Sequence, residues 1–376
     1  MRNVLKAFYL NLRAFLLNVA GVFFPSEAPP LASPARILFI RIDRIGDMVL
    51  STPALRALKE KYPGARLSVL ASPVMAPLIE SDPCVDHVIV WDRTKRWRGV
   101  IETIKSLRRS RFDLAVDPRL DYELNTALIA FASGAKVRAG YALYGRGIFF
   151  NLRAAPPKER GHFVEEAFKV LKPLGIERAG RDPELFISGG AKAEASAFLK
   201  NYGADEKGFL AAVHPGGYYP SQRWFPERFA EVIRWLMDKH NARVLLIGSG
   251  QEWELIDDIA DRASKGPDKK NIIKLIDFKM DVLSALIRKC RIFIGNNSGP
   301  LHIAAALRIP SVSTMGPTDP VRWRPLGPDQ IVLRGNAPCD SCRRGSRGTH
   351  ECMKDITAAM VQAGAERLLN SQRGGK

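Results

Sequence analysis

Asp47 is the residue best placed in this chain to move a proton. It closes the stretch "RIDRIGD" (41–47), where an apolar run gives way to a helical pattern, and it shares one turn with Arg41, Asp43 and Arg44. A carboxylate at a helix start caps backbone N–H groups and is kept ionised by the helix dipole, which also suits a general base that must stay deprotonated at neutral pH. Gly46 permits a tight or positive-φ turn just before it. Arg41 and Arg44 either hold an anionic substrate or pair with Asp43 and solvent.

Three later stretches suit a nucleotide. In "HPGGYYPSQRWFPERF", His214 is followed by Gly216 and Gly217, which let a ligand approach the backbone, and then by Gln222 and Arg223 ahead of a helix at Pro226. Pyrophosphate recognition needs that combination of close backbone and guanidinium. "LLIGSGQEWE" supplies Gly248, Ser249 and Gly250, with Glu252 placed to accept from a ribose; it is neither a Walker loop nor a full GxGxxG, and equally forms an ordinary strand-to-helix turn. In "GNNSGPLHIAAAL", Asn296, Asn297, Ser298 and Gly299 precede Pro300 at a helix start, so N–H groups and a hydroxyl converge where a phosphate can sit. His302, one turn in, either donates to that anion or is a structural histidine.

Those residues need strand ends to hold them. From Arg36 the chain alternates β-rich runs with helical patterns, the mark of parallel α/β sheets covered by helices. "ILFI", "RLSVLA", "HVIVW" and "FDLAVD" form a first series of strands; "FLAAVHPGG", "ARVLLIGSG", "NIIKLI", "RIFIGNNSGP" and "SVSTMGPT" form a second. Two doubly wound domains facing a cleft follow, with ligands outside the carboxyl ends of the strands. The expected division is 1–34 helix and linker, 35–180 first domain, 181–206 linker, 207–340 second domain, and 341–376 a cysteine-containing segment with a C-terminal helix.

The chain of 376 residues, 46% hydrophobic, can bury two such cores, and its net charge of +18 calls for an anionic partner. Neither paired Cys/His finger spacing nor an RNP-like strand is present, so nucleic acid gives way to phosphorylated substrates or a membrane surface. An N-terminal amphipathic helix carries Lys6, Arg13, Asn3, Asn11 and Asn18 within half of a helical wheel, a pattern that fits an interfacial helix with its basic side toward anionic headgroups. A signal anchor and a helix packed on the protein body are the rivals. "FPSEAPPLASPA" reads as a linker. Cys339, Cys342, His350 and Cys352 could hold a structural zinc ion or form a redox-sensitive or purely structural knuckle.

"RIDRIGDMVLSTPALRAL", "HPGGYYPSQRWFPERF", "GNNSGPLHIAAAL", "GPTDPVRW" and "CDSCRRGSRGTHECMKDIT", in that order over 36–357, resemble the successive signatures of the bacterial lipopolysaccharide heptosyltransferases, glycosyltransferase family 9. The resemblance implies a GT-B architecture of two Rossmann-like domains, acceptor in the first and nucleotide sugar in the second. It implies ADP-heptose as donor, a lipopolysaccharide inner-core acceptor at the cytoplasmic face of the inner membrane, and no cofactor or metal in the chemistry. It places the base at Asp47 and donor contacts on the His214 loop, the Gly248–Glu252 loop and the Asn297–His302 loop. Arg41, Arg44 and Arg119 would guide the acceptor. Two departures stand out: Gln222 replaces a usual lysine and Asn297 a usual aspartate. They leave room for another nucleotide sugar, or for an inactive membrane-associated sugar-nucleotide binding protein; a sugar-nucleotide epimerase is a third reading.

Overall fold

A computed structural model describes residues 2–21, 27–92, 94, 96–159, 161–178, 180, 182–204, 208–264, 266–335 and 351–374. The chain divides into two compact units, 1–181 and 182–376.

The first unit opens with helix α1 (Arg2–Ala20) and continues β1 (Arg36–Ile40), α2 (Ile45–Val49), α3 (Thr52–Lys61), β2 (Arg66–Ala71), α4 (Ala76–Ile79), β3 (His87–Val90), α5 (Arg96–Arg109), β4 (Leu114–Asp117), α6 (Asn125–Ala132), β5 (Val137–Tyr141), β6 (Leu152–Ala154) and α7 (Val164–Leu171). Its six strands are all parallel, in the order β3-β2-β1-β4-β5-β6. The order reverses beside β1, so the carboxyl end of β1 lies at a topological switch point, the place where open α/β sheets bind ligands. β1 is buried from Ile37 onward because helices cover both faces, which is why "ILFI" reads as an unbroken apolar run.

The second unit repeats the plan: α8 (Gly189–Asn201), β7 (Leu210–His214), α9 (Pro226–His240), β8 (Arg243–Gly248), α10 (Trp253–Ala263), β9 (Ile272–Ile276), α11 (Met280–Arg288), β10 (Ile292–Asn296), α12 (Gly299–Ala306), β11 (Ser311–Thr314), α13 (Pro320–Trp323), β12 (Gln330–Leu333), α14 (Glu351–Lys354) and α15 (Ala358–Gly374). The sheet is parallel in the order β12-β11-β10-β7-β8-β9, with its reversal between β7 and β10. The architecture is GT-B, two Rossmann-like α/β domains with the N-terminal helix α1.

One feature departs from the reading of the sequence, and two place its expected terminal helices. Residues 181–206, expected as a linker, contain α8, which packs on α11 and belongs to the second unit. α15 lies against α9 and β11, closing one side of that sheet. Finally, α1 packs on its own unit with Arg13 turned inward, where Nη2 donates to the carbonyls of Tyr122 and Tyr144 at 2.6 and 3.0 Å. Among the described residues of its outward face, Leu5, Phe8, Tyr9, Leu12, Phe15 and Leu16 are 46–67% exposed, beside the exposed Asn11 and Asn18. The Lys6 and Asn3 side chains lie outside the described residues.

Candidate active site

In the first unit the functional turn grows directly from β1. Arg41 follows the strand and is only 1% exposed; its Nε donates to Ser51 Oγ (3.1 Å), and Ser51 Oγ donates to the Asp47 carbonyl (2.7 Å). This relay pins the backbone of α2 against the strand end. Asp47 lies in the first turn of α2, but the N-cap position belongs to Arg44, with no capping side chain. Gly46 is inside the helix and is not among the residues with positive φ. Asp47 is thus neither a cap nor the tail of a strained turn. No hydrogen bond or ion pair ties its carboxylate to another described residue.

Burial pushes the Asp47 carboxyl up to about 6; the charges of Arg41 and Arg44 pull it down, and Asp43 and Glu166 push it further up. The helix-dipole expectation is corrected accordingly, since a five-residue helix does not outweigh desolvation. The group remains mostly ionised at neutral pH and is far more basic than a solvated aspartate, which matches it to general-base work.

A web of ion pairs surrounds the turn. Asp43 bridges Arg41 Nη1 (3.2 Å) and Arg119 Nη1 (2.7 Å). Arg119, expected to guide an anionic acceptor, also pairs with Asp121 and with Glu123 (2.9 Å), and bonds to Asn125. Three carboxylates already neutralise it. Behind it Arg146 is wholly buried, paired with Asp117 at 2.5 Å and donating to the carbonyls of Arg119 and Asp121, so it sets the shape of the 117–125 turn. Arg41 Nη2 is buried without a hydrogen-bond partner, as is the Nε of Arg146, but only on Arg41 is the unsatisfied nitrogen at the tip of the guanidinium beside the α2 turn. Such an orphan donor is disfavoured, and a bound anion or carbonyl would relieve it.

In the second unit the loops after β7, β8 and β10 converge. His214 ends β7, and its Nδ1 donates to the Ile247 carbonyl (3.0 Å), which leaves Nε2 as an acceptor; burial keeps the ring below its usual pKa and so neutral. Gly216 faces the Glu252 carboxylate so closely that a Cβ would overlap it. Glu252 Oε1 accepts from Gly217 N (3.0 Å) and Arg223 Nη2 (3.4 Å), and Oε2 from Ser249 N and Oγ (both 3.0 Å). Burial would raise this carboxyl; the hydrogen bonds from the N–H groups of Ser249 and Gly217 and from the Ser249 hydroxyl outweigh it and hold it below the ordinary range. Its four acceptor positions are filled from within the protein, so a ribose would have to displace one partner.

Arg223 also donates through Nε to the Gly217 carbonyl (3.1 Å) and keeps 28% of its side chain exposed. Gln222, standing where the resemblance expects lysine, donates to Thr318 Oγ1 (3.1 Å) and so fastens this loop to the "GPTDP" turn. Asn297 is half-buried beyond β10. Ser298 is the N-cap of α12 without a capping bond, its Oγ instead donating to the Asn296 carbonyl (3.2 Å), and His302 is buried within the helix.

One residue of the "GNNSGPLH" loop, read in the sequence only as part of a phosphate cradle, holds these loops together. Asn296, fully buried, accepts from Trp224 N and Thr314 Oγ1 and donates to the carbonyls of Pro215 and Gly216. The one available signal was an amide at the last, inward position of an apolar strand. Cys339, Cys342 and His350 lie outside the described residues; Cys352 is buried, and among the described residues no cluster of His, Cys, Asp and Glu could hold a metal ion.

Comparison with known proteins agrees with this arrangement. Lipopolysaccharide heptosyltransferase 3 of Escherichia coli K12 is 29% identical over 339 residues, covering 86% of this chain and 95% of that protein. The solved structure of E. coli ADP-heptose LPS heptosyltransferase II superposes with a TM-score of 0.76 at 25% identity, covering 90% of this chain and 99% of that one. A glycosyltransferase family 9 structure from Veillonella parvula gives 0.78 at 21% identity, over 92% and 99% of the two chains. The sequence profile of glycosyltransferase family 9 (heptosyltransferase) matches residues 100–351, two thirds of the chain. With a doubly wound sheet in each unit and its unusual residues at the strand ends, the chain belongs to glycosyltransferase family 9.

Proposed function

We propose that this glycosyltransferase moves heptose from ADP-heptose to a lipopolysaccharide inner-core acceptor by a single inverting displacement without a metal. The observation that carries the reading is the unpartnered Asp47 carboxylate, raised to about 6, at the switch point of a family 9 chain. Asp47 takes the proton of the acceptor hydroxyl as that oxygen attacks the anomeric carbon. General-base assistance of this kind contributes about 10²- to 10⁴-fold. Arg41, through its unsatisfied Nη2, and Arg44 receive the acceptor's anionic groups, and the Arg119 web walls that site.

The donor is held by the second unit. Arg223 and the amides of Gly216 and Gly217 meet the diphosphate from the β7 loop, while Ser298, Gly299 and the start of α12 meet it from the β10 loop. His214 Nε2, the Gly248–Glu252 loop, Asn297, Pro300 and His302 line the nucleotide. Gln222, tied to Thr318, orders the loop instead of supplying a second cation, so Arg223 carries more of the leaving charge. A different nucleotide sugar is the second reading, favoured by that lost cation and by Asn297. The enzyme works at the cytoplasmic face of the inner membrane, held peripherally; among the described residues no helix is long and apolar enough to cross a bilayer.

The test is incubation of purified enzyme with ADP-heptose and a heptose-deficient inner-core acceptor in the presence of a chelator. A product heavier by one heptose, with inverted anomeric configuration by NMR, is expected. Retention of configuration, or dependence on added metal, would contradict the mechanism; transfer from a different nucleotide sugar alone would replace the donor.

A further inference from the structure

Exposed apolar side chains are unevenly distributed on this molecule. Of the twenty large ones exposed among the described residues, thirteen sit on α1, α5, α6 and the two turns at Tyr122 and Tyr144. These elements share one side of the first sheet, where Leu38 and Ile40 of β1 pack with Leu107 of α5, Ile129 of α6 and Leu17 of α1. α1 is fastened there by Arg13 and by the close approach of Leu17 and Ala14 to Gly145, whose φ is +84°. Its outward stripe repeats every three to four residues from Leu5 to Val19, about 21 Å at 1.5 Å per residue.

α5 continues the same theme. Its apolar positions Trp97, Val100, Ile101, Ile104 and Leu107 follow helical spacing, yet only the C-terminal part reaches the core; Trp97 is 64% exposed. Its sequence "RWRGVIETIKSLRR" carries five cations and one carboxylate, with Arg98 lying over the Trp97 ring at 5.3 Å. Isolated exposed apolar residues need no explanation, but a concentration on one layer marks an interaction surface.

We propose that this layer, α1 together with the N-terminal half of α5, is a docking face for an anionic bilayer. It deepens the membrane half of the function proposed above and does not depend on the identity of the donor. Three observations select lipid as the occupant. The stripe combines Tyr9 and Trp97, aromatic side chains of the kind that settle at headgroup level, with Phe8 and Phe15 of the kind that enter the acyl boundary beneath it. The cations of α5 and the chain's charge of +18 complement anionic headgroups. The α1 stripe lies along a helix already fastened to the body, so it can enter the interface sideways without unfolding anything. The seam between α1 and the 117–125 turn holds a hollow of about 450 Å³ lined by Tyr9, Arg13, Tyr122, Leu124 and Asn125. Docking would bring that turn, which carries Arg119, to the level of a lipid-anchored acceptor.

The test is co-sedimentation of the full chain with phosphatidylglycerol/phosphatidylethanolamine vesicles and with neutral phosphatidylcholine vesicles. A Phe8→Glu/Phe15→Glu variant and a Trp97→Ala variant are run beside it. The wild type binds the anionic vesicles and is partly released by high salt. The double variant loses at least about tenfold in partitioning, with an unchanged melting temperature and unchanged transfer to a delipidated, soluble acceptor; Trp97→Ala loses less. The proposal is overturned if the wild type stays in the supernatant with anionic vesicles. It is equally overturned if the double variant sediments like the wild type, or if light scattering shows a dimer that the double variant abolishes, because a second copy would then cover the face. Loss of transfer with vesicle binding intact would count against the enzymatic reading and leave the docking face standing.

Discussion

Replacing Asp47 by asparagine should abolish the base and stabilise the fold at the same time. Its carboxyl is raised from 3.8 to about 6, a difference that converts to about 3 kcal/mol at 1.36 kcal/mol per unit. Between pH 4 and 6 the folded state holds more protons on this group than the unfolded chain does, so stability falls as pH rises through that window. The penalty is fully present above about pH 6, and a neutral amide of the same shape removes it. Partial exposure of Asp47 and its attraction to Arg41 make 3 kcal/mol a ceiling, equivalent to at most about 6–12 °C in the melting of the first unit. The assay compares thermal or denaturant midpoints of wild type and variant at pH 4, 5, 6 and 8, with transfer rates measured alongside. The expected pattern is a variant more stable at pH 8, indistinguishable at pH 4, and slower in transfer by about 10²- to 10⁴-fold. Turnover within a few-fold of wild type would refute the base assignment; a variant destabilised at pH 8 would show that the carboxylate holds the turn together.

Other consequences are open to measurement. With Asp47 as base, kcat/KM should fall about tenfold per pH unit below about pH 6 and level off above it, so a profile flat down to pH 5 would exclude that proton acceptor. Arg223→Ala should weaken ADP binding by about 10- to 100-fold in titration calorimetry through loss of a charge-assisted contact, and an unchanged affinity would remove Arg223 from the donor site. Asn296→Ala strands four buried backbone and hydroxyl partners and should lower stability by at least about 2 kcal/mol in denaturant, where a loss under 0.5 kcal/mol would show that water replaces the amide. Arg146→Met leaves Asp117 buried and unpaired and should reduce stability by about 3–5 kcal/mol by the same assay; a neutral outcome would mean that the 117–125 turn rearranges.

How far these features were legible follows from their range along the chain. β1 and β10 stand out because strands covered on both faces are continuous apolar runs, and the polar turns after them, "RIDRIGD" and "NSGP", mark the strand ends that carry the chemistry. Val137–Tyr141, Leu152–Ala154 and Gln330–Leu333 were harder. The first contains Arg138 and Gly140, the second has three residues, and the third is an edge strand with no buried position. α8 read as linker because its buried positions, Ala191, Ala195 and Leu199, are mostly alanine and give little amphipathic signal.

Side-chain pairing was the least accessible level. The pairing of Arg41 with Asp43, two residues away, was one of two readings of that turn; the structure shows it through Nη1 and leaves Nη2 without a partner, so the pairing does not displace the other reading. Asp43 with Arg119 and Asn296 with Pro215 join residues 76 and 81 positions apart, which nothing local in the sequence connects. For the same reason Arg119 read as a free cation and Glu252 as a free acceptor, although each is occupied by partners brought from other loops.

The proposed activity is transfer of a sugar from a nucleoside diphosphate, and ADP release tests it most directly. Purified enzyme is given ADP-heptose in chelator-containing buffer, with and without heptose-deficient inner-core lipid, and free ADP is followed with time. Release that depends on the acceptor, and that drops by at least about 10² in Asp47→Asn, is the predicted result. No release with any inner-core acceptor, under conditions where a known heptosyltransferase turns over, would contradict it.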